Sequence, residues 1–183
     1  YGLFGVALLA ILVGAYAAFQ HYAGGLRHDQ DENLLAIASL KSQRGATAEQ
    51  TRAELERLVK KYPESVEPLV VLTRMLLSQK DLKAAQQVAR DMLTNFPDKA
   101  PALDAAGQVE LASGDLNQPL QTFGKLAALA PRSATPLVRL AQVYVARRDM
   151  NAALGQLRKA VALEPGHRDA QFQLVSLLAG TGK

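Results

Sequence analysis

The residues in this sequence whose types and spacing could do chemistry lie near its two ends. Asp29, Asp31 and Asn33 alternate as the first oxygen ligands of a calcium loop do. Such a loop next requires a glycine for its sharp turn and, at its twelfth position, a bidentate glutamate. Leu34 and Leu40 stand there instead, so the run from His28 to Asn33 reads as hydrated chain whose carboxylates suit the start of a following helix. At the far end, Gly180-Thr181-Gly182-Lys183 looks like the close of a phosphate-binding loop, but Leu177 occupies the place of that motif's first glycine. His21, His28 and His167 are scattered, and there is no cysteine, which excludes disulfides, thiolate metal sites and cysteine nucleophiles. Nowhere do a nucleophile, a base and an orienting group occur together. The sequence therefore predicts no catalytic residue, no cofactor and no metal, and a protein that is not an enzyme. The net charge of +4 comes from bases interleaved with acids, so no nucleic-acid partner is expected.

What remains for the chain to position is a binding surface, and the prolines show how it is built. Pro63, Pro97, Pro131 and Pro165 fall 34 residues apart each time. A fixed period of that size marks one supersecondary unit stacked side by side. Proline cannot continue a helix, so each closes a unit. Asp81, Asp115 and Asp149 share the 34-residue spacing and suit the N-cap of a second helix in each unit. Thr47 with Gln50 offers a capping box one repeat earlier. Between these marks apolar residues recur at helical spacing: Leu69, Leu72 and Leu76, then Ala85, Ala89 and Met92. Each unit is predicted to be a helix hairpin with one apolar face per helix, unable to bury that face alone. Lys80 and Arg148 fall at the hairpin turn, as Gly114 does, where glycine would relieve a left-handed backbone.

The period, the closing proline, the pairs Leu72-Thr73, Ala106-Gly107 and Leu140-Ala141, and the alanines Ala85 and Ala153 together resemble the tetratricopeptide repeat (TPR) family. The likeness covers about residues 30 to 183 and is fullest from Arg132 to Pro165. It implies an all-α solenoid of helix hairpins. The middle repeat departs from the pattern, with Glu110 in place of an apolar or aromatic residue and Pro119 in place of alanine. In the family the first helices of successive repeats line a groove that holds a segment of another protein. Carried over residue by residue, the groove positions are Val70, Arg74 and Leu77, then Asp104, Gln108 and Leu111, then Val138, Gln142 and Val145, with Phe172 in a partial fourth repeat. This lining of apolar residues and amides suits an extended or helical segment docked by side-chain pockets. For each apolar member the alternative is packing against a neighbouring helix. The lysine and asparagine clamp of chaperone-binding relatives is missing, so a C-terminal carboxylate is not the expected ligand.

Residues 1–25 carry no formal charge, and Gly2 to Phe19 is almost wholly apolar, long enough to cross a bilayer as a helix. Tyr1 and Phe4 at one end, with Tyr16, Phe19 and Tyr22 at the other, match the aromatic belts of a membrane span. An anchor is the favoured reading. A signal peptide is the second, since Ala15-Tyr16-Ala17 offers a cleavage site. Ala10, Gly14 and Ala18 form a row of small residues through which two such helices would self-associate. The expected organisation is thus a single transmembrane helix over residues 1–25, a polar linker or degenerate first helix over 26–46, and a TPR array over 47–183. The first tyrosine and the unpaired last helix, with its apolar flank, lead to the expectation of a piece of a longer chain. The alanine- and leucine-rich units, with the stretch from Asp104 to Pro165, also resemble bacterial envelope TPR proteins of exopolysaccharide export and the PEP-CTERM/exosortase system. The expected function is a membrane-anchored scaffold, its repeats in the periplasm, that recruits other proteins in envelope assembly or polymer export. A cytoplasm-facing adaptor and an accessory domain of a larger enzyme are the alternatives.

Overall fold

The computed structural model describes residues 47–181. Those residues form eight helices: α1 (Ala48–Lys61), α2 (Glu67–Ser78), α3 (Leu82–Asn95), α4 (Ala100–Ala112), α5 (Gln118–Leu129), α6 (Thr135–Ala146), α7 (Met150–Leu163) and α8 (Arg168–Thr181). The expected membrane helix, the linker, the Asp29–Asp31–Asn33 run, His21, His28 and the last two residues lie outside the described residues. No described helix is long and apolar enough to cross a membrane. The described residues divide into two units, 47–68 and 69–181.

In the first unit, α1 starts at the expected capping box. The Gln50 N–H donates to Thr47 Oγ1 at 3.2 Å, and the Thr47 N–H donates to Gln50 Oε1 at 2.9 Å, so two otherwise orphaned donors are satisfied reciprocally. Leu55 and Leu58 are buried. Lys60 and Lys61 fall in the last turn, where the helix dipole favours cations.

In the second unit the 34-residue period is written into the backbone. Asp81 and Asp149 cap α3 and α7, each accepting from the N–H three residues on, at 3.1 and 3.0 Å. Before each cap the chain turns through one left-handed residue: Lys80 at φ 59°, Gly114 at φ 86° and Arg148 at φ 62°. Around Lys80, Asp81 N–H donates to the Leu76 carbonyl and Lys80 N–H to that of Leu77, both at 3.0 Å. Around Arg148 the same pair runs to Tyr144 and Val145 at 2.9 Å. This is the Schellman arrangement, which satisfies helix-end carbonyls at the cost of one positive φ. Phe96, Ala130 and Glu164 end α3, α5 and α7, each bonding back to the fourth carbonyl before it. A proline follows each and stops the helix.

The middle hairpin begins its second helix late. By period α5 should start at Leu116, but it starts at Gln118. In α3 and α7 the N–H of Ala85 and Ala153 donates to the carbonyl of the capping aspartate at 3.0 Å. Pro119 holds that place in α5 and has no N–H to give. Asp115 compensates from further off, its Oδ1 accepting from Asn117 N–H at 2.8 Å and Gln118 N–H at 3.2 Å. Asn117, the residue at the cap itself, makes no side-chain cap bond.

Successive helices from α3 to α8 pack on one another, and α8 also touches α6. One cluster, with Ala134, Val138, Ala141, Ala153, Leu157, Ala160 and Ala170 all buried, joins α6, α7 and α8. Its alanines let helix axes approach closely. A second cluster gathers Leu103, Phe123, Leu126 and Val143. Here the small position of the first helix is Gly107, and a Cβ placed on it would lie within 2.8 Å of three carbons of the Phe123 ring. Where the flanking repeats pair Thr73 with Ala89 and Ala141 with Leu157, the middle one pairs the smallest residue with the largest. The glycine is there because the phenylalanine is.

Candidate functional site

The first helices of the second unit border a common opening of about 550 Å³. Its apolar part is formed by Leu77 from α2, Leu82 from the start of α3, and Leu111 and Ala112 from the end of α4. Lys80, Gln108, Arg139 and Gln142 supply the polar part. Leu82 belongs by period to the apolar face of its hairpin, yet it is 36% exposed, because the slot opens over it.

Beside the slot a polar cluster ties α4 to α6. Arg139 Nε donates to Asp104 Oδ1 at 2.6 Å and Arg139 Nη2 to Asp104 Oδ2 at 3.2 Å, a two-pronged ion pair whose side chains are only 22% and 17% exposed. Gln108 Nε2 donates to Asp104 Oδ2 at 2.8 Å, and Arg139 Nη1 reaches Gln142 Oε1 at 3.4 Å. A fork-to-fork pair of this kind fixes both partners in orientation as well as distance.

Of the expected groove residues, the structure brings Leu77, Gln108, Leu111 and Gln142 together around the slot and joins Asp104 to them through hydrogen bonds. Arg74 is exposed one helical turn before Leu77. Val145 is 40% exposed. Val70 and Val138 are buried, at 7% and 1% exposure, and offer no surface to a partner. Phe172 sits on α8, 71% exposed. Arg139, Lys80, Leu82 and Ala112 are not among the groove residues expected from the sequence. Lys80 and Ala112 carried a readable signal, since they sit at the end of a groove-lining helix. Arg139 carried a subtler one: it lies 35 residues after Asp104, one more than the repeat, which sets opposite charges on adjacent first helices.

On another seam, a cleft of about 420 Å³ lies between α3 and the α4–α5 turn, lined among others by Gln86, Arg90, Leu93, Glu110 and Asp115. Glu110 Oε2 is buried without a hydrogen-bond partner. Burial pushes the Glu110 carboxyl above the usual range, the Thr122 hydrogen bond opposes that, and the nearby Asp115 charge adds to it. Among the described residues no group of three His, Cys, Asp or Glu side chains is placed to hold a metal ion.

No protein-family model matches the sequence, and no curated protein does. Solved structures do match the fold. TTC0263, a thermophilic TPR protein of Thermus thermophilus, aligns with a TM-score of 0.68 at 19% identity over 90% of this chain and 96% of that one. MamA from residue 41 onward, of Desulfovibrio magneticus RS-1, aligns at 0.63 with 18% identity over 85% of each chain. YrrB, a TPR protein with an unusual peptide-binding site, aligns at 0.54 with 23% identity over 70% of this chain and 66% of that one. The fold is that of the TPR proteins.

Proposed function

We propose that this chain is a TPR scaffold that holds a segment of another protein along its first helices. The observation that carries this is the slot itself: apolar residues from three helices open to solvent beside a polar cluster already fixed by the Asp104–Arg139 pair. A surface of that kind has anchors for side chains and has little freedom still to lose on binding. YrrB's peptide-binding site, on a similar fold, supports the same reading. The apolar run from Gly2 to Phe19 supports a scaffold tethered to a membrane. The resemblance to envelope TPR proteins supports a role in bacterial envelope assembly, with exopolysaccharide export of the PEP-CTERM/exosortase kind as the setting.

Two experiments test the proposal. A photo-crosslinking side chain at Ala112 or Gln142 of the full-length protein in cells should capture partners. The same group at Gln121 or Arg158, on second helices, should not. Equal capture from both faces would refute the groove. For the tether and its side, a cysteine at Lys83, which is exposed, is unique in a chain without cysteine. Labelling by a membrane-impermeant maleimide in intact spheroplasts supports an envelope scaffold, and labelling only after lysis overturns it.

A further inference from the structure

We infer, on top of the scaffold reading on which this depends, that the segment held in the slot is acidic: an internal stretch of a partner in which a leucine- or phenylalanine-sized side chain neighbours aspartate or glutamate. The apolar anchor follows from Leu77, Leu82, Leu111 and Ala112. The acidity follows from the charges. Lys80 and Arg139 are the charged groups lining the slot, and no carboxylate lines it. Lys80 is exposed and makes no ion pair among the described residues. Arg139 commits Nε and Nη2 to Asp104, but Nη1 has only the 3.4 Å approach to Gln142. A guanidinium carries five donors in a fixed fork, so this edge is left to hold a second carboxylate. Asp104 holds the fork in place beforehand, which spares the partner the cost of ordering it.

The nearby acids offset part of this charge without lining the slot. Asp104 offsets the Arg139 charge, and Asp81, which caps α3 through the Ala84 N–H, offsets part of the Lys80 charge beside it. Arg74, exposed on α2, extends the cationic rim. A basic segment would meet the exposed Lys80 and Arg74 as like charges, and a neutral one would leave the Arg139 edge unmet, so the rim selects by repulsion as well as attraction. The slot is built on the C-terminal ends of α2 and α4, whose dipoles disfavour an anion. The apolar side chain therefore takes the slot and the carboxylate takes the rim, an arrangement suited to an acidic side chain and not to a chain terminus.

The test is a selection with a defined probe. A random dodecapeptide library, fused at its C-terminus to a phage coat protein so that every member is an internal segment, is panned on the full-length protein in detergent. It is panned in parallel on A112Y, which fills the slot from an exposed position. Enriched peptides are expected to pair an apolar residue with aspartate or glutamate and to be lost on A112Y. Synthetic copies should bind the R74E/K80E double variant roughly tenfold more weakly, and should bind the wild type more tightly at low salt. Enriched peptides that are lost on A112Y but are neutral or basic would overturn the acidic preference and leave the groove standing. No enrichment, or enrichment that A112Y does not change, would overturn both.

Discussion

Replacing Gly107 with alanine adds one methyl group, and the structure says where it goes. The new Cβ would lie within 2.8 Å of Phe123 Cε1, Cζ and Cδ1, against an optimal carbon–carbon separation of about 3.5–4.0 Å. The ring has nowhere to move: it is fully buried and packed among Leu103, Leu126 and Val143. Overpacking of this kind costs about 1–3 kcal/mol. Alanine returns up to about 1 kcal/mol through its better helix propensity, which leaves about 0–2 kcal/mol; because the ring is hemmed in, G107A is expected in the upper part, about 1–2 kcal/mol. F123L alone should lose about 1 kcal/mol or more from the space it leaves. Together the two substitutions reproduce the alanine–leucine pair that the next hairpin already uses at Ala141 and Leu157, and the double variant should be more stable than the sum predicts by about 1–2 kcal/mol. Urea unfolding of the full-length protein followed by far-UV circular dichroism gives all four corners of the cycle. Repeat arrays can unfold in parts, so amide exchange within α4 and α5 should localise the loss. A G107A variant as stable as wild type, or strictly additive losses, would refute the account.

Four other outcomes are expected. K80G and R148G should each stabilise the fold by up to about 1 kcal/mol, read as a higher melting temperature, because each relieves a left-handed side chain, partly offset by the added freedom of the unfolded chain; G114A should lower it. D104L leaves the Arg139 guanidinium half-buried without its anion and should cost about 1–3 kcal/mol, less than a fully buried break because the pair keeps some solvent, while D104L/R139L regains most of the loss in chemical denaturation. Burial raises the Glu110 carboxyl in the folded state, so its contribution is fully present below its unfolded pKa and lost as pH rises through the folded one; E110Q should therefore be the more stable protein at neutral pH, by an advantage that shrinks toward the acid range in parallel urea titrations. Amides in the first turn of α5 should exchange faster than those of α3 and α7, since Pro119 removes the bond that Ala85 and Ala153 make there; the reverse order would contradict the reading of that turn.

The repeat was legible because each of its marks is a local device. A proline ends a helix, an aspartate starts one, and a single left-handed residue turns between them, whatever lies elsewhere in the chain. Positions that depend on a neighbouring repeat were not legible in the same way. Val70, Val138 and Phe172 share one column of the period, which fixes the helix face but not what covers it: the two valines are buried and Phe172 is open. The Asp104–Arg139 pair was harder to read because its members fall in different columns, 35 residues apart. The late start of α5 turned on a missing N–H, which the sequence displays at Pro119 but which a template of matching positions passes over.

The departures of the middle hairpin act together on the groove. Gly107 against Phe123 draws α4 onto α5, and Asp104 with Arg139 draws α4 toward α6. On the other flank α4 faces α3 across the cleft that holds the unpartnered Glu110 oxygen and lies beside the irregular start of α5. Packing is what transmits strain and resists it, and α4 packs on both α3 and α5, so the cleft at Glu110 is a local gap in a seam that is otherwise packed. The slot takes Leu77 and Leu82 from one side of the α3–α4 seam and Leu111, Ala112 and Arg139 from the other. Filling the seam with an apolar residue at position 110 should stiffen the groove without touching any residue that lines it.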